Sequence, residues 1–161
     1  MDTDGLNDDE RAAACRVVLQ SLRPVLVRGE CDIPWSVAET WAPEVVAAAT
    51  RLRERFVPAS RRDPFYEQTG VQDVRDPQVW ADFVTFVPEA LDATFWSTDG
   101  APVHLSDQAD CIAVRADDGL LEALTDVLAP VRLVPARVSF TERTAARLRG
   151  LLNRVMRALW R

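Results

Sequence analysis

The chain has 161 residues, of which 48% are hydrophobic and 27% charged, and its net charge is −6. This composition is typical of a globular protein and predicts a single domain spanning residues 1–161. No apolar run approaches the ~18 residues of a membrane span, and the acidic start lacks the basic residues of a signal peptide. Three cysteines without a CxxC spacing predict no disulfide framework, so we expect a cytoplasmic location.

Missing residue types exclude several kinds of chemistry. All 19 basic residues are arginine, and the absence of lysine excludes a lysine Schiff base and a P-loop. A single histidine, His104, excludes histidine-rich zinc sites and paired-histidine acid–base catalysis within one chain. The six glycines are too widely spaced for a GxG phosphate loop. We therefore expect neither a cofactor nor a metal ion.

The first half of the chain, about residues 8–92, is predicted to be helical. Asn7 or Asp8 can cap a first helix, because short polar side chains accept hydrogen bonds from the free amides at a helix start. Pro24 is expected to end or kink that helix. The stretch RGECDIP, residues 28–34, has no clear helical period and is predicted to be a loop.

Further helices and one long loop are expected before residue 92. SVAE at 36–39 predicts a capping box that opens a short helix, and Pro43 predicts the first residue of a longer one. Residues 58–76 are predicted to form a surface loop. Asp76 followed by proline is a good helix start. The stretch 79–87 fits either a helix or a strand, and a helix is the preferred interpretation.

The second half, residues 93–161, changes to a strand period. The expected order of elements is ββ-β-α-β-α. The strands are expected at 93–97, 102–106, 111–116 and 131–134, the last extended by 137–140. The two helices are expected to start at Asp117 or Asp118 and at 141, the second running to the end. The turn between the first two strands contains Asp-Gly, and the third strand is apolar enough to be buried on both faces. The predicted fold is α+β, a helical N-terminal half packed with a small mixed sheet.

The polar stretch GAPVHLSDQADC, residues 100–111, is the one segment whose residues suggest a catalytic group. On a strand, His104 and Ser106 share a face, and Asp107 or Asp110 could orient the ring. These four residues would serve a small hydrolase or transferase. Triad members usually come from separate segments, and no GxSxG motif is present. We therefore prefer a hairpin with a polar outer edge, although whether the protein is an enzyme stays open.

The strongest charge asymmetry lies at the C-terminus. Residues 141–161 contain six arginines and one glutamate, a net charge of +5, so the first 140 residues carry −11. A predicted helix would place five of these arginines in a stripe: Arg143, Arg147, Arg154, Arg157 and Arg161. One hypothesis is a regulatory module that docks on an acidic target through this stripe. The alternative is that the stripe faces solvent or pairs with the protein's own carboxylates.

Residues suited to interfaces are more plentiful than residues suited to catalysis. Four aromatic residues are expected to be partly exposed, as aromatic residues of interfaces are: Trp35, Phe65, Tyr66 and Trp160. We therefore predict a non-catalytic protein-binding protein of the immunity-protein, antitoxin or adaptor type that engages a basic partner. The carboxylates expected to contribute are Asp63, Glu67, Asp73, Asp76, Asp107 and Asp110, with Asp117 and Asp118 at a strand end. The net charge disfavours nucleic acid, and a homo-oligomer is compatible with the sequence.

Overall fold

The computed structural model describes residues 6–56, 63–115 and 117–131. In these ranges the helices are α1 (Asp8–Leu22), α2 (Pro43–Phe56), α3 (Pro77–Phe86) and α4 (Asp118–Leu128). Short 3-10 helices cover Arg23–Val25, Trp35–Thr40, Val87–Glu89 and Ala129–Val131. The strands are β1 (Leu26–Ile33), β2 (Glu67–Gln68), β3 (Gln72–Asp73), β4 (Asp92–Ser97), β5 (Gly100–Ser106) and β6 (Cys111–Val114).

The strands form one sheet in the order β2-β1-β4-β5-β6, and β3 also pairs with β1. This arrangement of helices and sheet confirms the α+β class. The sheet was expected to be mixed, whereas each described pairing is antiparallel. Of the elements predicted over 131–134, over 137–140 and from 141 onward, only Val131 is among the described residues, at the end of a 3-10 helix.

The starts of α1, α3 and α4 confirm the caps predicted for them. The Asn7 side chain accepts a hydrogen bond from the Glu10 amide, and the Glu10 carboxylate accepts one from the Asn7 amide, both at 3.0 Å. This reciprocal arrangement satisfies two amides that the helix itself leaves free. Asp76 and Asp117 cap α3 and α4 by accepting hydrogen bonds from amides of the first turn, from residues 78 and 79 and from Leu120 respectively. The ambiguous stretch 79–87 is helical up to Phe86.

The predicted loop at 28–34 is wrong, because β1 runs through it and lies inside the sheet, between β4 and the short strands β2 and β3. Buried positions alternate along the strand with charged outward ones: Gly29, Cys31 and Ile33 inward, Arg28, Glu30 and Asp32 outward. The alternation is hard to see in the sequence since glycine and cysteine are weak apolar signals. A Cβ on Gly29 would lie 2.7 Å from the Phe95 ring, so close packing explains the glycine.

The capping box predicted at 36–39 is also wrong. Residues Trp35–Thr40 form a 3-10 helix that follows Pro34 without a side-chain cap. The Ser36 amide donates instead to the Phe65 carbonyl at 3.1 Å. A tertiary contact thus takes the place of the local one.

The third predicted strand is shorter and more exposed than expected. β6 buries Ile112 only, while Cys111 is exposed. It lies at the edge of the described sheet and pairs there with β5.

The predicted surface loop at 58–76 contributes to the sheet. Of this stretch the structure describes residues 63–76, and β2 and β3 within it pair with β1, at Asp32–Gln68 and at Arg28–Asp73. These strands come before residue 92, so sheet-forming residues begin earlier in the chain than the predicted division into halves suggests.

One core joins the buried faces of all four helices to one face of the sheet, which we call the inner face. Trp80 and Phe83 of α3 pack edge-on against Phe95 of β4, with ring centroids 6.3 and 5.4 Å apart. The opposite, outer face carries polar and partly exposed side chains: Arg28, Glu30, Asp32, Asp92, Thr94, Trp96, His104 and Ser106. None of the described helices is long and apolar enough to cross a membrane.

Candidate functional site

Three carboxylates gather at one end of the outer face, and we call Glu30, Asp32 and Asp92 the carboxylate end. Glu30 is paired with Thr94, and Cys31 with Ala93, so the antiparallel register brings Asp32 level with Asp92 on the next strand. The Leu91 amide continues this register by donating to the Asp32 carbonyl at 3.2 Å. Like charges opposite each other on neighbouring strands repel, so this arrangement does not serve the stability of the sheet.

Each of the two neighbouring aspartates has a polar contact with another side chain. The Tyr66 hydroxyl donates to Asp32 Oδ2 at 2.7 Å. Burial, this hydrogen bond and the nearby charges of Asp32 and Asp92 raise the pKa of Tyr66 to about 12, so its hydroxyl stays protonated and can donate. His104 Nε2 lies 3.5 Å from Asp92 Oδ1.

His104 contacts other residues than the sequence suggested. Its Nδ1 lies 3.0 Å from the Thr94 hydroxyl, and its nearest carboxylate is that of Asp92. The imidazole is 42% exposed beside a shallow recess of about 200 Å³. Ser106 lies two residues further along the same strand face, paired with Asp92. The ring therefore has a carboxylate partner on β4, a strand that the predicted catalytic set did not include.

The two other predicted catalytic residues lie in the turn between β5 and β6. Asp107, Gln108 and Ala109 all have positive φ angles, of 51°, 57° and 63°, which cost L-residues roughly 1–2 kcal/mol each. The Asp107 amide donates to the Leu91 carbonyl at 2.7 Å, and Asp110 forms an ion pair with Arg11 of α1. These contacts hold the turn against the body of the protein, so both aspartates help to fix the position of the turn.

Three of the carboxylates predicted to bind a partner take part in local structure. Asp63 accepts hydrogen bonds from the amides of residues 65 and 66, and Asp76 caps α3. Asp73 pairs with Arg75, and this contact lowers the pKa of the Asp73 carboxyl to about 2. A carboxylate already bonded in this way has fewer free lone pairs for a partner.

Glu67 was expected on the surface and is buried instead. Its carboxylate accepts hydrogen bonds from the Trp35 indole at 2.9 Å and from the Asp63 amide at 3.1 Å. Arg53 lies 3.6 Å from it, and the Arg53 guanidinium stacks 4.3 Å from the centre of the Trp35 ring. Glu67 thus joins β2 to α2 and to the 3-10 helix, which is a structural role.

The predicted exposure of the aromatic residues is confirmed where the structure describes it. Phe65 is 68% exposed and Tyr66 44%, and Trp35 is partly buried. Trp160 and the arginine stripe at 143–161 lie outside the described residues.

The opposite end of the outer face is basic, and we call Arg28 and Arg75 the arginine end. Both arginines line a groove of about 720 Å³, together with Trp96 and polar residues at the start of the β4–β5 turn. Within the described residues Arg28 makes no hydrogen bond or ion pair, while Arg75 is paired with Asp73. Asp73 lies at this end as well, level with Arg28 on β3, so the arginine end (two arginines and one aspartate) has a net charge of +1 and the carboxylate end (three carboxylates) one of −3.

The described part of the chain has two buried cysteines, Cys15 and Cys31, and one exposed cysteine, Cys111. It holds no group of three or more side chains that could bind a metal ion. Burial raises the pKa of the Cys15 thiol to about 12 and also raises that of Cys31. Both thiols therefore stay protonated and unreactive at neutral pH.

Sequence reasoning missed Glu30, Asp32 and Asp92 because two of them lie in the stretch predicted as a loop. The alternation of charged and small residues in RGECDI is the signal that could have found them.

Comparison of the chain with protein-family models, with curated proteins and with solved structures found no match in any of the three.

Proposed function

We propose that the protein is a non-catalytic protein-binding protein whose carboxylate end engages a basic segment of a partner protein. One observation carries the proposal: Glu30, Asp32 and Asp92 lie together on a sheet face that the described helices leave open. Neighbouring carboxylates repel each other, so placing them side by side does not stabilise the sheet, and a binding site for a cation accounts for this placement.

The chemistry of this end fits an arginine better than other cations. A guanidinium can donate to two carboxylates at once and can stack on an aromatic ring, and Tyr66 stands beside Asp32. Binding a cation between Asp32 and Asp92 would relieve their mutual repulsion. The net charge of −6 would also steer a basic partner toward the protein.

This proposal includes the wider role suggested by composition. A small acidic protein that masks a basic partner is typical of immunity proteins, antitoxins and adaptors, and it would act in the cytoplasm. The partner would be a protein that presents exposed arginine or lysine side chains.

Partner capture with a matched pair of variants tests the proposal. Asp32→Asn/Asp92→Asn removes two charges from the carboxylate end, and Glu39→Gln/Glu44→Gln removes two from exposed positions elsewhere. Immobilised proteins are exposed to a lysate of the cells that naturally produce the chain, and bound proteins are quantified by mass spectrometry. We expect the first variant to retain basic proteins at least about tenfold less than the wild type and the control. Equal retention by both variants would contradict the proposal.

A hydrolase or transferase centred on His104 is the second candidate, favoured by the contacts of the ring with Asp92 and Thr94. Replacing His104 with glutamine distinguishes the two. If the protein acts by binding, the His104→Gln variant should capture the partner as the wild type does, and no enzymatic activity should be lost with the ring. A turnover on ester or phosphoester substrates that disappears in this variant, while the fold is retained, would favour the enzyme.

Docking through the arginine stripe of residues 143–161 is a separate proposal from the sequence. Arg147→Glu/Arg154→Glu tests it in the same capture assay, and unchanged retention by this variant would exclude the stripe as the interface.

A further inference from the structure

The outer face of the sheet has two ends of opposite charge. Arg28 and Asp32 are four residues apart on β1, which places the arginine end and the carboxylate end about 13 Å from each other. A surface with this distribution is complementary to itself when one copy is turned end for end. That property is what a two-fold symmetric interface requires, since the same patch must serve both partners.

We propose that a second copy of this chain docks on the outer face, so that the arginine end of each copy meets the carboxylate end of the other. The proposal goes beyond the proposed function, because it needs no foreign partner. Charge complementarity favours a second copy as the molecule that covers the outer face.

The strand register locates the two-fold axis. Arg28 is paired with Trp96, Gly29 with Phe95, and Glu30 with Thr94. An axis parallel to the face and perpendicular to the strands, at the level of Gly29, brings Arg28 opposite Glu30 of the second copy. By symmetry, Glu30 meets Arg28 of the second copy, so this contact occurs twice.

The remaining charges follow from the same rotation. Asp73 is paired with Arg28, and the Val74 amide donates to the Val27 carbonyl, so Arg75 lies near the level of Leu26. Rotation about the level of Gly29 carries this level onto that of Asp32. Arg75 therefore approaches Asp32 of the second copy, while Asp73, the partner of Arg75 within the chain, comes level with Glu30 of the second copy.

Side-chain length and available contacts support the arrangement. Sheets pack face to face about 10 Å apart, a distance that an arginine and a glutamate reaching toward each other can span. In the described residues neither Arg28 nor Glu30 makes a hydrogen bond or an ion pair, although Arg28 lies opposite Asp73 and its charge helps to lower the pKa of that carboxyl. Trp96 lies next to the axis and contributes a partly exposed indole, the kind of residue that stabilises interface centres.

Such a dimer would cover the carboxylate end. If the proposed function is correct, self-association and partner binding compete, and the monomer is the form that captures the partner. This consequence rests on the proposed function, whereas the dimer itself does not.

Reciprocal charge reversal tests the interface. Arg28→Glu makes both central positions of the patch acidic, and Glu30→Arg makes both basic. Molecular mass is measured by analytical ultracentrifugation, for each variant alone and for an equimolar mixture. We expect the wild type to dimerise, each variant alone to show at least about a tenfold higher dissociation constant, and the mixture to associate about as tightly as the wild type.

Matched controls and salt complete the experiment. Arg16→Glu and Glu39→Arg make the same charge changes at exposed positions away from the sheet face and should leave dimerisation unchanged. Raising the salt to about 0.5 M should weaken the wild-type dimer, because it screens the four ion pairs that the rotation predicts.

Three results would overturn the proposal: a wild type that stays monomeric, single reversals that leave the dimer intact, or a mixture that fails to associate. Because the measurement contains no partner protein, any of these results leaves the capture experiment unaffected, and the reverse also holds.

Discussion

The two faces of the sheet differ in what they contribute to the protein. The inner face buries Phe95, Val103, Leu105 and Ile112 against the helices, and these side chains are almost fully excluded from solvent. The outer face carries charges of both signs, with a net positive charge at the arginine end and a net negative charge at the carboxylate end. One backbone thus serves two purposes: burial on one face determines the fold, while the other face is free to carry charges that stability does not require.

The largest expected effect comes from the inner face. Replacing Phe95 with alanine removes the ring that packs against Trp80 and Phe83 and leaves a cavity at Gly29. We expect a loss of about 3–5 kcal/mol in the free energy of unfolding, measured by denaturant titration. Phe95→Leu is the milder control, which should lose much less. A loss under about 1 kcal/mol for the alanine variant would show that the Phe95 ring contributes little to the packing of the inner face.

A buried charge between two helices gives the next effect. Asp82 on α3 accepts hydrogen bonds from Arg51 and Arg55 of α2 and from Gln78. Desolvation raises the pKa of Asp82, but these hydrogen bonds outweigh it, and the net pKa is lowered. Asp82→Asn should lower the free energy of unfolding by about 2–4 kcal/mol, since two cations lose their charged partner.

The same carboxylate predicts a pH dependence of stability. Because the folded-state pKa of Asp82 lies below its unfolded value, its contribution is present at neutral pH and is lost as the pH falls below about 4. The difference in stability between the wild type and Asp82→Asn should therefore shrink in acid. A difference that stays constant between neutral pH and about pH 3 would contradict this assignment.

The smallest effect on stability is expected on the outer face. Glu30→Gln removes a charge that makes no hydrogen bond or ion pair within the described residues, so the free energy of unfolding should change by less than about 0.5 kcal/mol. Self-association, measured by ultracentrifugation, should nevertheless weaken. If Glu30→Gln destabilised the fold as much as Asp82→Asn, the contrast between the two faces would be lost.

Much of the fold could be predicted from local signals. Helix starts at Asn7, Pro43, Asp76 and Asp117 follow from caps and prolines, whose effects are confined to a few residues. The hairpin around Asp99-Gly100 follows from its turn. Strand β1 escaped prediction because its inward residues are a glycine and a cysteine beside one isoleucine, and their burial depends on Phe95 and the helices.

The candidate site was less predictable than the fold. His104 was correctly placed on a strand, but its neighbours Thr94 and Asp92 come from the paired strand. Glu67 was expected to be exposed because of its charge, and it is buried by Trp35 and Arg53, which are distant in sequence. Side-chain partners of this kind depend on strand register, and a register is a relation between two segments.

By itself, the sequence determined the class of the fold, the helix caps, the hairpin and the absence of lysine chemistry, because each depends on residue type or on neighbours within a few positions. Only the tertiary structure decided that Arg28, Glu30, Asp32 and Asp92 share one face with opposite charges at its two ends. The physical reason is that charges attract or repel across space. Which of them meet is therefore set by the pairing of β1 with β4.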